Sequence, residues 1–222
     1  MDVYLEFLKR SAPLLFQGAL MTLQVMVSSA TLSMVLGLIF GSLSTDRLRI
    51  PFLSALIESI TFVLRAIPFF VQLLIVYFVL PDLIGYNLEP FPASVLSLGV
   101  CSSGYVAQIV RAGINSIPAS QWESAFTLGY SPLQTLRFII LPQMFRNVLP
   151  AFNNELDTLL KSTSIVASIG MLELTRMGMN IVSREMQPVP VYLTIALFYL
   201  VMSGFLNVVM RLIEKRMKYV KS

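Results

Sequence analysis

The stretch LLFQGALMTLQVMVSSATLSMVLGLIFGSL, Leu14–Leu43, runs for thirty residues without one charged side chain. A bilayer core of about 30 Å is crossed by about 20 helical residues, so this segment can span it with tilt to spare. Four more stretches meet or approach the same length: 55–80, 93–114, 148–171 and 191–213. The fourth is the least apolar and carries charges. Of the 222 residues 56% are hydrophobic and only 13% charged, against about a quarter charged in soluble domains. Mean hydropathy is +0.76. The apolar residues fall in long blocks rather than ten-residue alternations, which excludes a barrel pattern. These features predict a single all-α integral membrane domain, 1–222, with five transmembrane helices.

Absences narrow the function classes. There is no histidine, which removes the usual metal ligand and general base. The one cysteine, Cys101, cannot form an internal disulfide and reads as a small buried hydrophobe. No phosphate-binding loop of the G-x-x-x-x-G-K-[ST] type occurs. The N-terminal MDVYLEFLKRSAP is mixed in charge and lacks a signal-peptide layout. The formal charge of +4 is better read through its placement than as nucleic-acid binding.

Lysine and arginine placement sets orientation. With the C-terminus inside, Arg47, Arg49, Arg111, Arg137, Arg146, Arg211, Lys215, Arg216, Lys218 and Lys221 are cytoplasmic. Only Lys9, Arg10, Arg176 and Arg184 fall outside, and the loop PDLIGYNLEPFP has no cation. An outer N-terminus and a cytoplasmic C-terminus follow. The basic tail also suits contact with anionic lipid. No internal repeat is visible, and five spans cannot be halved as in many secondary transporters. Too few helices remain to wall a pathway alone, so a dimer is expected.

The largest cytoplasmic loop, 118–142, is unlike its surroundings. ESAFTLGYSPLQTLRFIILP, Glu123–Pro142, reads as two short helices. Ser116 or a neighbour caps the first, with Pro118 in its first turn. Trp122, Ala125, Phe126 and Gly129 share a face, and Gly129 permits a left-handed stop. Ser131-Pro132 restarts a helix, Leu133, Leu136 and Ile140 form its apolar stripe, and Pro142 follows its end. On physics alone the elbow is either a docking knob or an interfacial amphipathic helix.

The spacing E-x-A-x-x-x-G, nine residues, then I-x-L-P is met by Glu123, Ala125, Gly129, Ile139, Leu141 and Pro142. It resembles the EAA loop of the membrane subunits of binding-protein-dependent ABC importers. YVAQIVRAGINSIPASQWESAFTLGYSPLQTLRFIILPQ, LRAIPFFVQLLIVYFVLP and NNELDTLLKSTSI resemble the polar amino acid permeases over roughly residues 60–170. The departures are Ser124 for alanine, Gln108 for glutamate, Ser120 for glycine and Ala66-Ile67 for Gly-Thr. The resemblance implies a type I ABC importer permease fold in a bacterial inner membrane. It makes the loop a coupling helix between spans 3 and 4, seated in a separate ATPase subunit. Trp122, Glu123, Ala125, Phe126 and Gly129 become ATPase-coupling positions, with Trp122 and Phe126 as the apolar knob. It further implies an external solute-binding protein, a second permease copy or similar permease, and no catalysis by this chain. ATP and Mg are expected on the partner ATPase, with no cofactor or metal here.

Charges inside spans cost about 2.5–3.5 kcal/mol each on insertion scales. Glu58 and Arg65 share a face but sit about 10 Å apart along the helix axis. Arg65 either clamps carbonyls freed by Pro68 or a neighbouring helix, or touches substrate. In the fourth span Asn153, Asn154, Glu155, Asp157 and Lys161 cluster, and Asp157 with Lys161 has the favourable i,i+4 order. Glu155 either faces a cavity and receives a cationic group, or pairs across helices, for example with Arg65. Arg65, Asn154, Glu155, Asp157 and Lys161 are thus the substrate-path candidates, and their net negative patch favours basic amino acids. Two rivals remain. One is a small ion-coupled carrier using Glu155 or Asp157. The other is an intramembrane hydrolase built on Lys161 with Ser162 or Ser164.

Overall fold

In a computed structural model of the chain, residues 2–48 and 50–219 are described, and they form helices with no strand. Arg49 and Lys221, both used for orientation, lie outside the described residues, as do the side chains of Lys9 and Lys218. The helices are α1 (Asp2–Leu43), α2 (Pro51–Ala66), α3 (Phe69–Leu74), α4 (Leu80–Ile84), α5 (Pro90–Asn115), α6 (Ala119–Thr127), α7 (Pro132–Thr135), α8 (Leu141–Ser162), α9 (Leu174–Glu185) and α10 (Pro188–Tyr219). Within α1, α5 and α10, the segments Arg10–Leu43, Pro90–Asn115 and Pro188–Met217 are each long and apolar enough to cross a bilayer. Two broken pairs, Pro51–Ala66 with Phe69–Ile84 and Pro132–Ile169 with Leu174–Glu185, raise that number to five if each counts as one span.

The second apolar stretch is not one helix. Ile67 takes an extended conformation (φ −84°, ψ 129°) and Pro68 begins α3, as expected where a proline ring disfavours a helical predecessor. Proline also lacks the N–H that would reach the Leu64 carbonyl. That oxygen lies 3.7 Å from Cys101 Sγ, so the buried thiol donates weakly to it.

Two other prolines are handled differently. Leu80 N donates to Ile75 O and Leu141 N to Leu136 O, each closing a five-residue π-turn just before Pro81 or Pro142. Widening the turn removes the clash between the proline ring and the preceding carbonyls, so the helix continues. The expectation that Pro142 ends a short helix is therefore corrected. From Pro132 the chain stays helical through the π-turn and α8 to Ser162, then tightens to a 3-10 segment over Thr163–Ile169.

Two compact units divide the chain. One comprises Met1–Thr31, Pro68–Gly99 and Asp157–Leu206. Its interior has two clusters, one around Val25, Leu73, Leu98, Leu159 and Val166 and the other around Leu15, Leu174, Ile181 and Val191. Glu173 is fully buried there and caps α9, accepting from Thr175 N (2.9 Å) and Arg176 N (2.7 Å). Tyr199 Oη of α10 donates to it at 3.1 Å, while Leu174 N donates to Thr22 Oγ1 of α1 at 3.1 Å. The other unit comprises Leu32–Ile67, Val100–Leu156 and Asn207–Ser222. Its core joins Val110, Ile114, Trp122, Leu136, Ile140, Met144 and Phe152.

Candidate functional site

The elbow at 118–142 is built from local rules. Helix α6 follows Pro118 (φ −53°, ψ 142°) without a side-chain cap. Ser116 does not cap it, because its hydroxyl donates back to the Gly113 carbonyl at 2.8 Å. At the other end Gly129 N donates to Phe126 O (3.0 Å) and Tyr130 N to Ala125 O (3.1 Å). This is the paired closure of a Schellman motif, and it sets Gly129 at φ +85°. Ser131 and Gln134 then form a reciprocal capping box at 2.9 and 3.3 Å, with Pro132 in the first turn.

Trp122 and Ala125 point inward, each 1% exposed, and the indole sits in the core with Ile114, Leu136 and Met144. The expectation of Trp122 as part of an exposed knob is corrected: the ring anchors the elbow to the helices above it. The large apolar side chains left outside are Phe126, Leu128 (75% exposed), Tyr130, Leu133 (72%) and Phe138. Glu123 and Gly129 are exposed as well. Helical period had marked one face; it could not say which face the fold would bury. Leu128, beside the glycine, was missed, and Leu133, expected on one stripe with Leu136 and Ile140, is exposed while those two are buried.

The intramembrane candidates separate into distinct settings. Glu155 Oε1 accepts from Ser102 Oγ at 2.6 Å. Ser102 has one proton, so the 3.0 Å contact between Ser33 and Ser102 has Ser33 as donor. A hydroxyl chain Ser33–Ser102–Glu155 thus links α1, α5 and α8. The cross-helix partner of Glu155 is Ser102 and not Arg65. Arg65 Nε donates instead to the Thr61 carbonyl of its own helix at 3.1 Å. Asp157 pairs with Lys161 at 2.5 Å, as the spacing predicted, and also accepts from Ser203 of α10. Asn154 is exposed on α8, whereas its neighbour Asn153 donates to Asn207 at 2.7 Å.

Sequence reading also missed two ionic groups. Arg111 Nη1 lies 2.9 Å from Glu58 Oε1, joining α2 and α5. Glu173 is the other, a residue the sequence reading did not single out; Gly170, three residues before it and at φ +85°, was the available sign of a break.

Interrupted apolar helices, polar links between helices and an elbow with exposed apolar side chains suit a membrane transport subunit. The chain belongs to the family described as the binding-protein-dependent transport system inner membrane component, which it matches over residues 33–219. It is 34% identical over 206 residues to the arginine transport system permease protein ArtQ of Bacillus subtilis (strain 168), covering 93% of each chain. It is 34% identical over 215 residues to the glutamine transport system permease protein GlnP of Escherichia coli (strain K12), covering 93% of this chain and 94% of that one. A crystal structure of an amino acid ABC transporter with histidines superposes with a TM-score of 0.84 at 34% identity, covering 96% of this chain and 98% of that one. The MetNI methionine ABC transporter in an inward-facing form shares the fold, with a TM-score of 0.81 at 22% identity over 92% and 96% of the two chains. The protein is thus a membrane subunit of a binding-protein-dependent transport system.

Proposed function

We propose that this chain forms the translocation path of an ATP-driven importer for a polar amino acid, without catalysing any reaction itself. ATP and Mg are held by separate ATPase subunits, and an external solute-binding protein delivers substrate to two permease chains. The C-terminus is cytoplasmic and the N-terminus external, so the elbow lies on the ATPase side. The observation that carries this reading is the elbow's division of labour. Trp122 is buried in the permease core while Phe126, Leu128 and Leu133 stay exposed on either side of a fixed Gly129 turn. A rigidly rooted knuckle with an apolar tip transmits a push; a helix floating in headgroups does not.

Within the spans, Glu155 is the carboxylate that receives the cargo's cationic group. Asp157 is engaged by both Lys161 and Ser203, whereas among the described residues Glu155 has the neutral donor Ser102. The excess acid favours basic over acidic amino acids. Uptake into vesicles carrying the complete transporter tests both parts. Gly129→Asp is expected to insert normally and lose ATP-driven uptake, and arginine or lysine should outcompete glutamate and aspartate. Normal uptake by the variant would count against docking, and equal competition by glutamate would count against the acidic path. Uptake driven by a proton gradient without ATPase subunits would instead favour a carrier.

A further inference from the structure

A cavity of about 250 Å³ lies between α2 and α5, lined by Ser44, Glu58, Thr61, Arg65, Gln108 and Arg111. Its position follows from the sequence. Glu58, Thr61 and Arg65 recur at i, i+3 and i+7 and therefore share one face of α2. Gly104, Gln108 and Arg111, at i, i+4 and i+7, likewise share one face of α5. A Cβ at Gly104 would come within 3.1 Å of the Thr61 carbonyl oxygen and 3.2 Å of Arg65 Cγ. The glycine lets the helices close there, and the longer side chains one and two turns on hold them apart around a polar space.

The charges in that space are unevenly satisfied. Arg111 is matched by Glu58. Arg65 is tethered through Nε to the Thr61 carbonyl, and its terminal guanidinium nitrogens have no protein partner among the described residues. Glu58 Oε1 is buried and has an ionic contact with Arg111 but no aligned hydrogen bond. An arginine fork fits a carboxylate in a two-point grip. Glu58 and the exposed Gln108 amide add acceptors for an ammonium group. The volume lies below the roughly 300–1,000 Å³ of drug-sized sites, which suits one small metabolite. A phosphate or anionic lipid headgroup would use only the arginines, whereas a zwitterion uses both signs.

We propose that this cavity is a second binding site for the head group of a free α-amino acid, with its carboxylate on Arg65 and its ammonium on Glu58 and Gln108. Neither Glu155 nor Ser102 lines it, so it is separate from the path carboxylate. The choice of probe rests on the amino acid transport class; the site does not depend on the role given to Glu155.

The test is equilibrium binding of radiolabelled L-glutamine and, separately, L-arginine to the complete transporter in nanodiscs without its binding protein. Two bound molecules per permease chain are expected. Glu58→Gln should remove one or weaken it about tenfold, the order expected for one lost charged hydrogen bond. Gln108→Leu, on an exposed position, should weaken the same molecule and keep the other, which also reports that the variant is folded. Glu155→Gln should spare the Glu58-dependent molecule. If Glu155→Gln abolishes all binding while Glu58→Gln and Gln108→Leu match wild type, the second site is overturned. If only Glu58→Gln acts, the second site stands and the Glu155 reading falls. Absence of binding in wild type overturns it, as does displacement by millimolar inorganic phosphate that is unchanged by Glu58→Gln, which would mark an anion site only.

Discussion

Ser102 Oγ donates to Glu155 Oε1 at 2.6 Å, tying α5 to α8 through the carboxylate that the proposed path uses. The bond orients one oxygen; in the proposed path the other meets the ligand. Ser102→Ala therefore frees the carboxylate without removing its charge. We expect a raised KM for a cationic amino acid with little change in kcat, while Glu155→Gln lowers kcat/KM by about one to two orders of magnitude, as loss of a charged contact does. Transport kinetics in vesicles check both. An unchanged KM in both variants contradicts the assignment.

Trp122 and Leu128 sit six residues apart and should fail in different ways. Trp122→Ala empties a fully buried site and is expected to cost about 3–5 kcal/mol of stability, the range for large aromatic truncations. Leu128→Ala, at a 75% exposed position, should leave the unfolding midpoint of the purified permease within error. It should nonetheless weaken retention of the ATPase subunits on an affinity column. Thermal unfolding together with co-purification separates the two effects.

Glu173 meets donors at both oxygens: Arg176 N at Oε1, and Thr175 N with Tyr199 Oη at Oε2. Glutamine there must point its NH2 at one of these donors. Glu173→Gln is expected to destabilise by about 1–3 kcal/mol, the cost of an unsatisfied buried group. Tyr199→Phe, which removes only one donor, should cost less. Unfolding of the permease in nanodiscs measures both.

The first long apolar helix was legible because the hydrophobic signal scales with length, and the thirty uncharged residues at Leu14–Leu43 lie within α1. Asp157 with Lys161 was legible because an i,i+4 pair is a local matter. What the sequence concealed was three-dimensional. Ser102 and Arg111 on α5 became partners of Glu155 and Glu58 through helix packing, at separations of 53 residues for Ser102 and Glu155. Period placed Trp122 and Phe126 on one stripe, yet burial divides them because the core sits against only part of it. Pro68, Pro81 and Pro142 look alike in sequence. One breaks its helix and two are absorbed by π-turns, a difference the local sequence does not show.

The central claim is that the elbow is pushed by a separate nucleotide-hydrolysing subunit. Leu128→Cys in a Cys101→Ser background provides a single thiol at the exposed tip, and cross-linking with a short bifunctional reagent in native membranes reads its neighbour. A covalent product with the ATPase subunit, in a yield that changes when ATP is added, is expected. Reaction only with lipid-soluble reagents, and no product with any other polypeptide, would contradict it.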